Sequence, residues 1–219
     1  MNTLHTFGCS FTAPYTFNGA IGYKQYYQYK NNNYPPVWAD LLSDKLNMSL
    51  NNYGVGGSSN YEIFSTFCKN VDKIKTNDIV MIGWSFKERF SLFDESINNF
   101  VRVLPLVKPK LNNVSSQTMD EILVNRGNHI WINEVMNWEK FIRKYLDSIG
   151  VDLITWSFDK SFPNEIYIFD ELIKLGGETI IMETNGEIND IHMGENGHIV
   201  QSEYFYNIIK NQSKKTKLI

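Results

Sequence analysis

The stretch Thr6-Phe7-Gly8-Cys9-Ser10-Phe11-Thr12 decides how this chain is read. It closes a first strand over residues 3–9 and ends in a Gly-x-Ser turn. A serine hydroxyl is inert at its own pKa and becomes a nucleophile only with a base within hydrogen-bond reach. Candidates for that base stand at the far end of the chain, in Asp190-Ile191-His192-Met193-Gly194-Glu195-Asn196-Gly197-His198. Ser10, His192 and Asp190 together could supply nucleophile, base and orienting carboxylate. Such a set is defined by geometry and not by chain order.

Two further segments work outward from this pair. Asn52-Tyr53-Gly54-Val55-Gly56-Gly57-Ser58-Ser59-Asn60 and Asp78-Ile79-Val80-Met81-Ile82-Gly83-Trp84-Ser85 are short runs that end in glycine and small polar residues. A buried parallel strand that delivers a loop at its carboxyl end has this form. Active sites of open α/β sheets gather at those ends.

In order and spacing these four blocks resemble the SGNH (GDSL-like) hydrolases. The resemblance spans nearly the whole chain, although only short blocks carry it. It implies Ser10 as nucleophile and His192 as catalytic histidine. Gly57, at the end of an Asn-x-Gly-x-x-Gly rhythm from Asn52, falls on the glycine whose backbone N–H serves the oxyanion hole. Three departures stand out. Cys9 replaces the usual Asp beside the nucleophile. Ser85 stands where the family has an Asn donor, and a hydroxyl reaches less far than a carboxamide. Asp190-x-His192 is one residue shorter than the family's Asp-x-x-His, so Glu187 or a backbone carbonyl is an alternative partner for the ring.

Strands alternate with helical patterns elsewhere too, which predicts a parallel sheet covered on both faces. Pro35-Pro36 is expected to open a helix whose apolar stripe is Val37, Trp38, Leu41 and Leu42. Residues 48–53 read as the second strand. Ser58 or Ser59 caps a helix burying Ile63, Phe64 and Phe67. Asp78 to Trp84 is the third strand, residues 87–100 look partly helical, and residues 130–149 form a helix that Gly150 ends. Residues 151–156 make a fourth strand, residues 165–174 a short helix, Thr179 to Met182 a short strand, and Glu195 to Asn211 the terminal helix before a basic tail. The expected fold is a three-layer α/β/α sandwich with a flavodoxin-like parallel sheet of about five strands. Residues 1–219 read as one domain, with a lid or insert around 100–130.

Composition narrows the function classes. Apolar residues make up 42% and aromatics 14%, which excludes a disordered chain. A net charge of −3 offers no footprint for nucleic acid. No apolar run is long enough to span a bilayer, and the N-terminus lacks a secretory pattern. Cys9 and Cys68 cannot build a disulfide framework, so a reduced cytoplasmic setting is expected. The abundant asparagine fits an AT-rich bacterial or phage genome.

Alternation along an extended chain turns Cys9 away if Ser10 faces the site, and a small buried Cys is the commoner fate. His5 is expected to be packed or hydrogen-bonded, and His198 structural or capping. His192, in a polar loop before the last helix, stands where a base belongs. No metal is expected, since Asp190, His192, Glu195 and His198 have no second cluster beside them. The Gly54–Gly57 run lacks a full dinucleotide pattern, and no cofactor is implied. The tyrosine-rich stretch 15–34 reads equally well as a wall of the site or as ordinary packing.

The expected activity is hydrolysis of carboxylic esters, O-acetyl groups on a glycan among them. The expected partner is a small-molecule or glycan ester, not nucleic acid and not a membrane. The alternatives are a non-catalytic carbohydrate- or partner-binding module on the same fold, or an O-acyltransferase.

Overall fold

The computed structural model describes residues 2–15, 32–87, 89–94, 99–103, 128–162, 166–176, 183–184, 187–188 and 192–216. Five parallel strands make the central sheet: β1 (Thr3–Gly8), β2 (Ser49–Asn52), β3 (Ile79–Trp84), β6 (Asp152–Ser157) and the two-residue β7 (Ile166–Tyr167). Their spatial order is β2-β1-β3-β6-β7. The order reverses beside β1, and a crevice at such a switch point is where open α/β sheets hold ligands. The expected fold class is the one observed.

Helices cover both faces, which is why β3 is apolar almost throughout. On one face Leu4, Met81, Ile154 and Trp156 pack with Trp38 and Leu42 of α1 (Trp38–Leu46) and with Phe205 and Ile209 of α5 (Glu195–Thr216). On the other, Phe7, Val80, Ile82, Trp84 and Leu153 pack with Ile63 and Phe67 of α2 (Asn60–Asn70) and with Ile142 and Leu146 of α3 (Asn128–Ser148). Neighbouring residues of one strand thus belong to opposite cores, as the two-residue pleat requires.

Local signals set most boundaries. Ser59 caps α2: its hydroxyl accepts from Glu62 N and its own N–H donates to the Glu62 carboxylate. At the end of α3, Val151 N donates to Leu146 O and Gly150 N to Asp147 O, which closes the helix at the expected glycine. Helix α1 begins two residues beyond the proline pair, because Val37 is still extended with φ −81° and ψ 168°. α5 runs on to Thr216, past the expected end at Asn211.

Two segments differ from expectation. Residues 87–100 are not partly helical: β4 (Phe90–Asp94) and β5 (Asn99–Val103) form an antiparallel pair with Phe93 opposite Phe100. Residues 166–174 split between β7 and the short helix α4 (Ile168–Lys174). A further antiparallel pair joins β8 (Glu183–Thr184) to β9 (Glu187–Ile188). The strand expected at Thr179 to Met182 and most of the expected insert at 100–130 lie outside the described residues.

The amino end of the sheet is fastened by a buried hydrogen-bonded cluster. His5 Nε2 lies 3.1 Å from Asp78 Oδ2, and the same carboxylate accepts from Thr3 N at 2.7 Å and Lys75 N at 2.8 Å. An ionised carboxylate only accepts, so Nε2 carries the proton. Burial holds the His5 pKa below its usual value, and Asp78 offsets part of that effect. Asp78→Ala would strand three donors in a dry site. We expect it to lower the unfolding free energy by about 2 kcal/mol, the order of loss seen when buried donors are left unsatisfied. Urea denaturation measures this, and a loss within the error of the extrapolation would show that the cluster does not fasten β1 to β3.

Candidate active site

The site is assembled at the carboxyl ends of β1, β2 and β3. After Gly8 the chain makes a tight turn, in which Thr12 N and Ala13 N both donate to Cys9 O, at 2.9 and 3.0 Å. Ser10 rides on this turn and stays partly exposed, while Cys9 is 3% exposed and packs into the core. Cys9 and Ser10 differ in burial as expected, but both lie beyond the end of β1 on the turn, so the turn and not strand alternation separates them. The turn is braced from below by Trp38, whose indole N–H donates to Phe11 O at 2.9 Å.

The glycine loop after β2 is pressed against this turn. Asn52 Nδ2 donates to Thr12 O at 2.8 Å, and Asn52 Oδ1 accepts from Gly54 N at 2.9 Å. Val55 N reaches back to Gly8 O at 3.0 Å. A Cβ on Gly54 would lie 2.5 Å from Ala13 N, so no side chain fits there. Gly57 has φ +76°, a conformation that side chains disfavour. The two glycines do different work: one permits contact with the Ser10 turn, the other bends the loop toward α2.

His192 comes to the same place from the other end of the chain. Its ring lies 4.9 Å from that of Phe11, the residue after Ser10. Phe11 also packs on Phe158 at 4.1 Å and approaches Phe86 at 6.3 Å. His192 is partly buried, with Nε2 shielded from solvent. Asp190 lies outside the described residues, as does the side chain of Glu187. The structure therefore brings the segments bearing Ser10, Gly57 and His192 together and is silent on the carboxylate.

Ser85, just beyond β3, is 2% exposed and held on all sides. Its N–H donates to Asn60 Oδ1 at 2.6 Å, and its carbonyl accepts from Asn60 Nδ2 at 3.2 Å. Its hydroxyl accepts from Arg89 Nη1 at 3.2 Å. That bond occupies a lone pair and leaves the O–H able to donate. Asn60 and Arg89 were not singled out from the sequence. Asn60 is the first residue of α2, and its amide joins that helix to the end of β3. Only the fold shows that these two positions meet.

His198 explains why the His192 loop sits where it does. The residue is 3% exposed. Trp38 N donates to its Nδ1 at 3.2 Å, so that nitrogen bears no proton. Nε2 then carries the hydrogen and donates to Tyr15 Oη at 2.7 Å, and the Tyr15 hydroxyl donates to Met193 O at 2.5 Å. The ring is locked neutral. Burial, with a smaller contribution from His192 nearby, lowers its pKa to about 3. Tyr15 is accordingly a fastening residue; residues 16–31 of the tyrosine-rich stretch lie outside the described residues. Among the described residues no group of His, Cys, Asp and Glu is arranged to hold a metal ion, and no helix is long and apolar enough to cross a membrane.

No protein-family model and no curated protein matches this sequence. Two solved structures are similar over most of the chain. One is a putative lipolytic protein of the G-D-S-L family from Desulfitobacterium hafniense DCB-2, at 11% identity and a TM-score of 0.36, covering 95% of this chain and 99% of that one. The other is a carbohydrate esterase whose active site displays divergent catalytic and non-catalytic binding functions, at 12% identity and a TM-score of 0.45, covering 95% of this chain and 68% of that one. At these values the site rests on the chain's own residues.

The His198 network has a testable pH signature. Its folded pKa, about 3, lies below the ordinary value of 6.5. Between those values the unfolded chain binds more protons, so stability is full above pH 6.5 and falls as the pH drops toward about 3. A His198→Gln variant lacks this titration. We expect wild type to be the more stable at neutral pH and its advantage to shrink through that window, as followed by denaturant unfolding. A constant gap between the two curves would show that His198 is not held neutral.

Proposed function

We propose that this chain is a serine ester hydrolase of the SGNH type. The observation that carries the reading is the convergence of the Ser10 turn, the Gly57 loop and the His192 ring at one edge of a parallel sheet, with Phe11 packed directly on His192. In this reading Ser10 Oγ attacks the ester carbonyl while His192 takes its proton. The tetrahedral oxyanion is met by the backbone N–H groups of Ser10 and Gly57, and by the Ser85 hydroxyl, whose O–H is polarised by the Arg89 bond. His192 then passes its proton to the departing alkoxide. Water, deprotonated by the same ring, releases the acid and restores Ser10. Asp190 orients the imidazole and stabilises its charged form. Carboxylic esters are the substrate class, with acylated sugars foremost among them.

Ser10→Ala is expected to lower turnover of p-nitrophenyl acetate on the order of 10⁶-fold, with His192→Ala comparably damaged and the double variant little worse, since such groups act as a unit. Labelling by a fluorophosphonate probe gives an independent readout, because it needs an activated serine. Wild type that neither labels nor hydrolyses, or a Ser10→Ala variant with full activity, would leave the non-catalytic binding module as the better reading.

Ser85 is tested separately. Losing one oxyanion donor costs about 10²-fold in turnover. Ser85→Ala is therefore expected to lower kcat by that order with little change in KM, because the contact forms mainly in the transition state. An unchanged kcat would leave a hole of two backbone donors.

A further inference from the structure

A cavity of about 330 Å³ opens beside Ser85, between α2, the start of β4 and α3. Its volume is at the lower end of the range of about 300–1,000 Å³ typical of small-ligand sites, the size of one ring and not of a chain. Tyr61, Trp131 and Trp138 give it aromatic walls, and Arg89, Lys87 and Glu134 contribute charge; the Lys87 ammonium donates to Ser161 Oγ at 2.8 Å.

Arg89 is the unusual member. Its guanidinium lies 5.1 Å from the centre of the Phe86 ring, and Nη1 donates to Ser85 Oγ. Among the described residues it pairs with no carboxylate. A guanidinium has five N–H donors in a planar fork that matches a carboxylate bidentately. Here one donor is taken by a neutral hydroxyl and the plane is held by an aromatic ring. The fork is thus oriented in advance, and among the described residues no carboxylate fills it.

The walls are fixed as well. Trp138 stacks on Phe64 at 5.2 Å with an interplanar angle of 7°, and Trp131 meets Phe90 edge-on at 4.4 Å. Glu134 is exposed on α3, apart from the segment that bears Arg89. A ligand filling this space needs an anionic group for Arg89, hydroxyl donors for Glu134, and a ring face to lie against indole and phenol. A benzoate-like ligand satisfies the first and third demands but brings no hydroxyls.

We propose that this cavity binds a carboxylated sugar ring of the uronate type, its carboxylate paired with Arg89 and its ring against the aromatic wall. The link to catalysis rests on the esterase reading above. Arg89 bonds Ser85 and packs on Phe86, which in turn approaches Phe11 beside Ser10. The substrate is then an ester on an acidic glycan, with the uronate seated next to the acylated position.

The test separates binding from chemistry by using Ser10→Ala protein. Tryptophan fluorescence and ¹H–¹⁵N chemical shifts are followed during titration with sodium glucuronate, glucose, sodium benzoate and sodium acetate at constant ionic strength. Glucuronate is expected to bind saturably and at least about tenfold more tightly than glucose, equivalent to 1.4 kcal/mol. It should also outcompete benzoate and acetate, with shifts at Trp131 and Trp138. Arg89→Met in the same background, checked for folding by circular dichroism, is expected to abolish the preference over glucose. If that variant unfolds, the four-ligand comparison on the parent decides alone. Equal binding of glucuronate and glucose, tighter benzoate, or no saturation would each overturn the proposal. Such a result leaves p-nitrophenyl acetate hydrolysis untouched, and loss of that hydrolysis leaves this binding untouched.

Discussion

One buried imidazole holds the two ends of this chain together. His198 accepts from the backbone at the start of α1 and donates to Tyr15, and Tyr15 donates to the carbonyl of Met193. Three segments far apart in sequence are thereby fixed to one ring that has no solvent to exchange with. The first is the turn that carries Ser10, a few residues before Tyr15. The last is the loop that carries His192, directly before Met193. A neutral ring is essential, because a protonated Nδ1 could not accept from Trp38, and burial supplies that neutrality. The second histidine of the C-terminal block thus positions the first without touching what it would react with.

The opposite side of the site is held by a different device. There the Asn60 amide grips both the N–H and the carbonyl of Ser85, while Arg89 takes the hydroxyl. A buried serine backbone between a strand and a hairpin has no ladder partner, and a carboxamide satisfies both of its groups at once. Arg89 at the same time lines the neighbouring cavity, together with Lys87 and Glu134. The same few bonds hold the end of β3 and fix Arg89 beside the cavity.

Between these two clamps lies the close approach of Gly54 to the Ser10 turn. Two loops that each need their backbone hydrogen bonds satisfied share them through Asn52. The absence of a Cβ at Gly54 sets how near they come. Phe11 then fills the remaining space between His192, Phe158 and Phe86, so that the floor of the site is aromatic and its rim polar.

The central strands and the helix boundaries at Ser59 and Gly150 were legible in the residues themselves. Each depends on a local pattern: apolar runs bounded by glycine, a hydroxyl at a helix start, and a glycine at a helix end. The β4–β5 pair was not. Phe90, Phe93 and Phe100 fall near helical spacing, and only pairing of Phe93 with Phe100 across two strands makes the segment extended. The partners of Asn60, Tyr15 and His198 were hidden for the same reason, although a structural place for His198 was expected. In a chain rich in asparagine and tyrosine, neither residue type marks a position, and what distinguishes these is the partner brought to them from tens to more than a hundred residues away. The sequence by itself determined an α/β sheet with Ser10 and His192 at its loop-bearing edge. The tertiary structure alone decided which buried polar groups satisfy one another, because a hydrogen bond between distant segments exists only once the cores on both faces of the sheet have closed around it.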